Sequence, residues 1–388
     1  MSAGGPEVVF VAGDVGGLGG MERQSEELVR SLLESGRPVT VVARTCALSE
    51  RSGLRFMRVP TPARPFTIAY PAFFLVGSLL AARRRGALLH TTGAIIANRA
   101  DVSTVHYCHH AAVAHVADSR ASRSGRLYRL NAAVAKSLSL AAERWCYRPG
   151  RTRVLCAVSG GVASELRQRF PAMRGAVRTV PNGVDATTFR PDPTAGRQLR
   201  GGLGIGDHDS VAVFAGGDWE RKGLRFAVDA IALAPGWHLL VAGEGDRRAV
   251  AAQARKAGVE TRVHLLGPIR AMSQLYAAAN AFVLPSAYET FSLVTFEAAA
   301  TGLPLLVTHV SGVEDLLSDG ANGWFIARDA RDIARRMNEL RSRPELARRL
   351  GECARKTAGA FSWDAMAEGY ASVYEDLECG AHRAGVAA

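Results

Sequence analysis

Two successive series of short apolar runs set the strongest limit on what this chain can fold into. The first series, within residues 1–190, holds EVVFVAG, PVTVVART, ALLHTTG, VSTVHYC and RVLCAVS. The second, within residues 191–388, holds SVAVFAG, GWHLLVAGEG, RVHLLG, AFVLPS and LPLLVTH. Helical stretches such as MERQSEELVRSLLESG lie between the runs. A run that is apolar at nearly every position belongs to a strand covered on both faces, and strands separated by helices pair in parallel. Between the two series, RPDPTAGRQLRGGLGIGDHDS is polar and rich in Gly and Pro, which marks a linker. The expectation is an α/β protein of two consecutive doubly wound units, 1–190 and 191–388, with ligands at the carboxyl ends of the strands. A length of 388 residues suits two cores better than one. FSWDAMAEGYASVYEDLECG reads as a closing amphipathic helix.

Composition narrows the class. At 48 % hydrophobic and 22 % charged residues, the chain is globular rather than disordered. Its six cysteines are scattered without a C-x-x-C pair, which argues against a disulfide framework and a cysteine zinc site and points to a reducing cytoplasm. The start, MSAGGPEVVFVAGD, enters a strand-like run with no basic leader. Charge is uneven. Residues 1–190 carry 26 Lys and Arg against 12 Asp and Glu, a balance of +14, whereas residues 191–388 carry 22 against 24, a balance of −2. The first half therefore suits an anionic partner, although dispersed arginines on a solvated surface give the same count. FTIAYPAFFLVGSLLAA, residues 66–82, is shorter than the ~20 residues of a membrane span and is interrupted by Pro71. It reads as a buried or half-buried helix, or as one lying in a membrane interface with Arg64 before it and Arg83, Arg84 and Arg85 after it. Residues 120–153 hold nine Lys and Arg against one acid, Glu143, with apolar residues interleaved, a pattern that suits anionic lipid or an ordinary solvated helix.

Three stretches carry chemistry. GDVGGLGGMER, residues 13–23, follows the first strand and precedes the first helix, where a phosphate meets backbone N–H groups. It is not a G-x-G-x-x-G fingerprint, because Glu22 stands where the third Gly belongs, and a tight turn reads the same way. AGGDWERKG, residues 215–223, sets Arg221 beside Lys222 in a Gly-bounded loop at a strand's carboxyl end. Arg offers a forked contact and Lys a point charge, which suits a diphosphate; a solvated turn is the alternative. PSAYETFSLVTFEAAATGLP, residues 285–304, holds Glu289 and Glu297 in mostly apolar surroundings. Its helix is expected to open with Phe291, Ser292 and Leu293 in the first turn, whose unpaired N–H groups favour an anion. A nucleotide-sugar, with hydroxyls at both ends and a diphosphate between, would place one carboxylate at each end. Asp207-x-Asp209 reads as a solvated turn rather than a metal site.

GGMER, VPNGVDATTF, GGDWERKG, VAGEGD, LYAAANAFVLPSAYETFSLVTFEAAATGLP and SGVEDLLSDGANGWF together resemble the retaining glycosyltransferases of family 4, in order, from about residue 7 to 375. The resemblance implies the GT-B fold, two doubly wound Rossmann-like domains facing a central cleft, with the last helix (about 361–380) packing back toward the N-terminal domain. It implies metal-independent transfer of a hexose, with retention, from a nucleoside diphosphate sugar to an acceptor hydroxyl, the donor being a UDP- or GDP-hexose. Glu289 would contact the transferred sugar, Glu297 the ribose hydroxyls, and Arg221 and Lys222 the diphosphate. Phe291, Ser292 and Leu293 would bind donor, and Gly19 and Gly20 would close on it from the other domain. A catalytic His follows a strand of the N-terminal domain in this family, and TVHYCHH offers His106, His109 and His110, of which His106 fits best. FSL stands where FGL is frequent, and Ser311 replaces a Gly of GG-x-x-E. No cofactor is expected. The acceptor is expected to be lipid-linked or a small-molecule aglycone, with peripheral contact to anionic membrane on the cytoplasmic side and no nucleic acid. Two rivals stand beside this reading: a nucleotide-sugar epimerase on the same fold, and a non-catalytic protein that binds anionic lipid or nucleic acid through the basic half.

Overall fold

The computed structural model describes residues 5–17, 19–84, 86–111, 126–206 and 208–386. Asp207 of the Asp207-x-Asp209 pair, Arg85 and the first part of the basic stretch 120–153 lie outside the described residues. The chain divides into two compact units, Met1–Gly183 with Trp363–Ala388, and Val184–Ser362. The sequence placed the break at 190/191, in the polar stretch. It falls instead at Gly183, because the segment before that stretch already packs in the second unit, with Val184 N–H bonded to the Phe361 carbonyl at 2.7 Å.

Among the described residues, the first unit holds a seven-stranded sheet. In spatial order the strands are Leu54–Arg58, Val39–Ala43, Val8–Val11, Leu88–Thr92, Ala100–Val105, Thr152–Ala157 and Val177–Thr179, with every neighbouring pair parallel. Alternate side chains of Val8–Val11 enter different cores. Val8 and Phe10 pack with Leu28, Val29 and Leu32 of the helix Gly20–Glu34, and with Tyr370 and Tyr374 of the C-terminal helix Trp363–Val386. Val9 and Val11 pack with Phe73 and Ala81 of the helix Phe66–Ala81. Burial on both faces is the physical reason for the unbroken apolar runs. The C-terminal helix is also held by a buried polar chain. His90 Nδ1 lies 2.6 Å from the Tyr374 hydroxyl and His90 Nε2 lies 2.8 Å from Thr104 Oγ1, which in turn meets the Tyr370 hydroxyl at 2.6 Å. Burial first, and the neighbouring His106 second, push His90 down to about 3, so it remains neutral.

The second unit holds six parallel strands in the order Val263–Gly267, Trp237–Ala242, Ser210–Ala215, Ala281–Leu284, Leu305–Val307 and Gly323–Phe325. In each sheet the chain runs outward in one direction and then in the other from a central pair. Those pairs are Val8–Val11 with Leu88–Thr92, and Ser210–Ala215 with Ala281–Leu284. Between such strands their following loops diverge, and the opening at their carboxyl ends is where open α/β sheets take ligands. Among the described residues, no helix is long and apolar enough to cross a membrane.

Candidate active site

In the second unit, the loops that follow the two central strands carry the charged residues. Gly216 ends the first strand at φ +126°, and a Cβ there would meet the Lys222 stem at 2.6 Å, so only glycine lets that side chain fold back over the strand end. The second loop, Pro285–Ser292, leans on the first through Ala287 N–H, bonded to the Arg221 carbonyl at 2.9 Å. Three donors converge on Glu289 Oε1: Lys222 Nζ at 2.6 Å, Ser286 Oγ at 2.9 Å and Arg221 Nη1 at 3.4 Å. Arg221 also donates to the Tyr288 carbonyl and to Asp218 at 3.0 Å. Lys222 and Glu289 are each less than a tenth exposed. Burial alone would raise the Glu289 carboxyl, but the charges of Lys222 and Arg221, with hydrogen bonds from Lys222 and Ser286, hold it below its ordinary range. The group is thus a buried carboxylate under two cations at the switch point of the sheet, where an entering anion would meet both cations.

The helix that follows starts later than the sequence suggested. It spans Leu293–Ala300, so of Phe291, Ser292 and Leu293 only Leu293 stands in its first turn. Ser292 is the N-cap, at φ +65° and ψ +62°, with Oγ 2.8 Å from Thr295 Oγ1. Phe291 precedes the cap, and its ring stacks on Phe296 with centroids 4.1 Å apart. This is a hydrophobic staple, which fixes the angle of entry into the helix and commits the Phe291 side chain to the core rather than to a ligand. Glu297 lies inside the helix, buried, with Oε2 accepting from the Tyr276 hydroxyl at 3.0 Å.

In the first unit, His106 directly follows the strand Ala100–Val105. It is 8 % exposed, its Nε2 has no hydrogen-bond partner among the described residues, and burial pushes it down to about 4, so the ring is neutral near pH 7. The other two histidines are differently placed. His110 Nδ1 is 2.6 Å from the Glu143 carboxylate, and the His109 ring meets Tyr107 edge-on. Gly19 is the N-cap of the helix Gly20–Glu34 and Gly20 its first residue, both exposed, at the end of the loop that leaves the central strand Val8–Val11. Sequence reasoning did not single out Ser286, Tyr276 or Glu143 as site residues. Ser286 sits three residues before Glu289, a usable signal; Tyr276 lies in an apolar helix with none; Glu143 had one, as the lone acid among nine cations.

Comparison with known proteins agrees across both units. Residues 18–188 match the family profile described as Glycosyltransferase Family 4, and residues 209–343 that described as Glycosyl transferases group 1. A D-inositol 3-phosphate glycosyltransferase of Segniliparus rotundus is 32 % identical over 228 residues, 55 % of this chain and 49 % of the relative. The chain spans about half the length of the curated relatives it matches. Among solved structures, WaaG, a glycosyltransferase involved in lipopolysaccharide biosynthesis, superposes with a TM-score of 0.78 at 21 % identity, covering 94 % of this chain and 99 % of WaaG. HepE of Anabaena, solved in complex with UDP and glucose, superposes with a TM-score of 0.73 at 19 % identity, covering 96 % and 100 %. At such identities the two structures speak for a shared fold alone.

Proposed function

The chain belongs to the family 4 glycosyltransferases of GT-B fold, and from that premise we propose that it moves a hexose from a nucleoside diphosphate sugar to an acceptor hydroxyl, with retention and without a metal. The observation that carries this reading is the meeting of Lys222 and Arg221 on Glu289 at the switch point of the second sheet. A diphosphate entering there would share the two cations with Glu289. They would then neutralise the charge that grows on the leaving phosphate, a role a metal ion fills elsewhere. Glu289, kept ionised by the same cations, accepts hydrogen bonds from sugar hydroxyls. Glu297, steadied by Tyr276, accepts from the ribose hydroxyls. Leu293 and Val294, at the start of the helix, offer backbone N–H groups to phosphate oxygens. His106, neutral and with Nε2 unpartnered, is suited to a hydroxyl of the reacting sugar. The acceptor proton passes to the departing phosphate oxygen, so no protein nucleophile is required. The donor is a UDP- or GDP-hexose.

For the acceptor, a lipid-linked molecule at the inner face of the cell membrane is the reading the first unit supports. One face of the helix Phe66–Ala81 presents Ile68, Leu75 and Leu79 to solvent, at 59 %, 65 % and 68 % exposure, with no charged residue from 66 to 82 and exposed Arg64 and Arg83 at either end. An apolar strip between cations suits the boundary of an anionic bilayer. A small-molecule aglycone would leave that face without a purpose.

Calorimetry with UDP, GDP, ADP and dTDP, without added metal, tests the donor site. One nucleotide should bind wild type and lose affinity in Glu297→Ala, and Glu289→Gln should cut transfer by about 10³ while still binding nucleotide. Absence of binding by every nucleotide defeats the reading; conversion of the donor sugar with no acceptor present would make the enzyme an epimerase. Sedimentation with phosphatidylglycerol vesicles should fail for Leu75→Asp/Leu79→Asp, and equal recovery of that variant would remove the membrane from the proposal.

A further inference from the structure

We propose that Glu143 is a positioning residue for the transfer reaction, its carboxylate clamping the loop that presents His106. Glu143 is the one acid in residues 120–153, against nine cations, and an acid serving only to balance that charge would lie in water. It is instead 1 % exposed. Its Oε1 accepts the backbone N–H of His109 at 2.7 Å, and its Oε2 accepts the backbone N–H of His110 at 3.1 Å and His110 Nδ1–H at 2.6 Å. One carboxylate therefore closes on two successive backbone groups and an adjoining ring, so it dictates the path of the chain there. The other ring nitrogen is also committed. Arg144 Nε donates to His110 Nε2 at 3.1 Å, and a guanidinium only donates, so Nε2 must accept and Nδ1 must carry the proton toward Glu143. His110 is thus part of the clamp and has no ring nitrogen left for a substrate. His106 begins the same short loop, anchored on one side by the strand Ala100–Val105 and on the other by Glu143. Its Nε2 is buried and unpartnered, and a group so placed acts only if the backbone on both sides is fixed.

The inference rests on the proposed role of His106, and the test separates the two. Wild type, His106→Ala, Glu143→Gln and Glu143→Asp are assayed as full chains for transfer and for nucleotide binding by calorimetry. Glutamine keeps the size of the side chain but replaces one acceptor with a donor facing the backbone N–H groups. Glu143→Gln should lower kcat about 10- to 100-fold, the cost of misplacing a group by ~1 Å, with donor KM and nucleotide Kd within about twofold. Glu143→Asp, which keeps the carboxylate, should recover part of the loss. In parallel, the histidine rings are followed by NMR against pH. His106 should resist protonation down to about 4 in wild type, and should titrate nearer the ordinary 6.5 in Glu143→Gln, where the loop is released. Full kcat in Glu143→Gln beside a crippled His106→Ala overturns the clamp, and full activity of His106→Ala overturns it as well. If wild type transfers nothing, the reaction reading fails, and an unchanged His106 titration in Glu143→Gln still overturns the clamp.

Discussion

Lys222→Met removes the charge from the most buried ion pair of the proposed donor site while keeping a side chain of similar reach. Lys222 Nζ stands 2.6 Å from Glu289 Oε1, and both residues are less than a tenth exposed. Breaking a buried pair from one side costs about 3–5 kcal/mol, because the remaining charge stays buried without its partner. Here Arg221 at 3.4 Å and Ser286 at 2.9 Å still reach the same oxygen, so the low end applies, about 3 kcal/mol. For a unit of this size that lowers the midpoint of its transition by about 6–12 °C. The penalty should also depend on pH, with a definite sign. In wild type the folded-state pKa of Glu289 lies below its ordinary 4.5, so its stabilisation is present above that value and is lost as pH falls through the folded value. Without Lys222 the largest opposing charge is gone, burial counts for more, and the folded carboxyl holds its proton at higher pH. The variant's deficit must therefore shrink as pH falls from 7.5 toward 5. Denaturant unfolding of both proteins across that range, without nucleotide, measures it. Lys222→Met/Glu289→Gln should regain about 2 kcal/mol at pH 7.5, since the stranded charge is removed. A deficit that stays constant or grows as pH falls refutes the argument that a stranded Glu289 carboxylate causes it.

Tyr276→Phe removes the hydroxyl that donates to Glu297 Oε2 at 3.0 Å and should weaken nucleotide binding about fivefold, the equivalent of about 1 kcal/mol, as read by calorimetry. Tyr374→Phe strips His90 Nδ1 of its partner at 2.6 Å and should cost about 1–3 kcal/mol, with hydrogen exchange rising first in the helix Trp363–Val386. Ser292→Gly relieves a left-handed backbone worth about 1–2 kcal/mol and gives up a hydrogen bond to Thr295 worth about 1 kcal/mol, so it should be neutral to slightly stabilising. Ser292→Ala gives up the bond without the relief and should destabilise by about 1 kcal/mol, so two midpoints with the same sign would contradict this account.

What could be seen in the sequence follows from how strongly each feature depends on its neighbours. Strands covered on both faces announce themselves by composition alone, so Val8–Val11, Ser210–Ala215 and Ala281–Leu284 were legible, whereas Leu54–Arg58, with exposed arginines at Arg55 and Arg58, and the three-residue Val177–Thr179 were not. The charged residues of the second unit were legible because their loops follow strands and are bounded by glycines, a pattern that local chemistry imposes. The first turn after Glu289 was misplaced by two residues because the staple between Phe291 and Phe296 and the positive φ of Ser292 are tertiary choices: FSL reads as good helix, and only packing excludes Phe291 and Ser292 from it. Three histidines in TVHYCHH were chemically equivalent on paper. What separates them is Glu143, more than thirty residues away, which binds His109 and His110, while His106 keeps a ring nitrogen with no partner among the described residues. A long-range carboxylate thus does for the first unit what two adjacent cations do for the second: it turns a set of candidate side chains into one placed group. The difference in legibility is a difference in sequence separation. Arg221 and Lys222 are set by the turn they belong to, but His106 is set by a residue that the turn cannot announce.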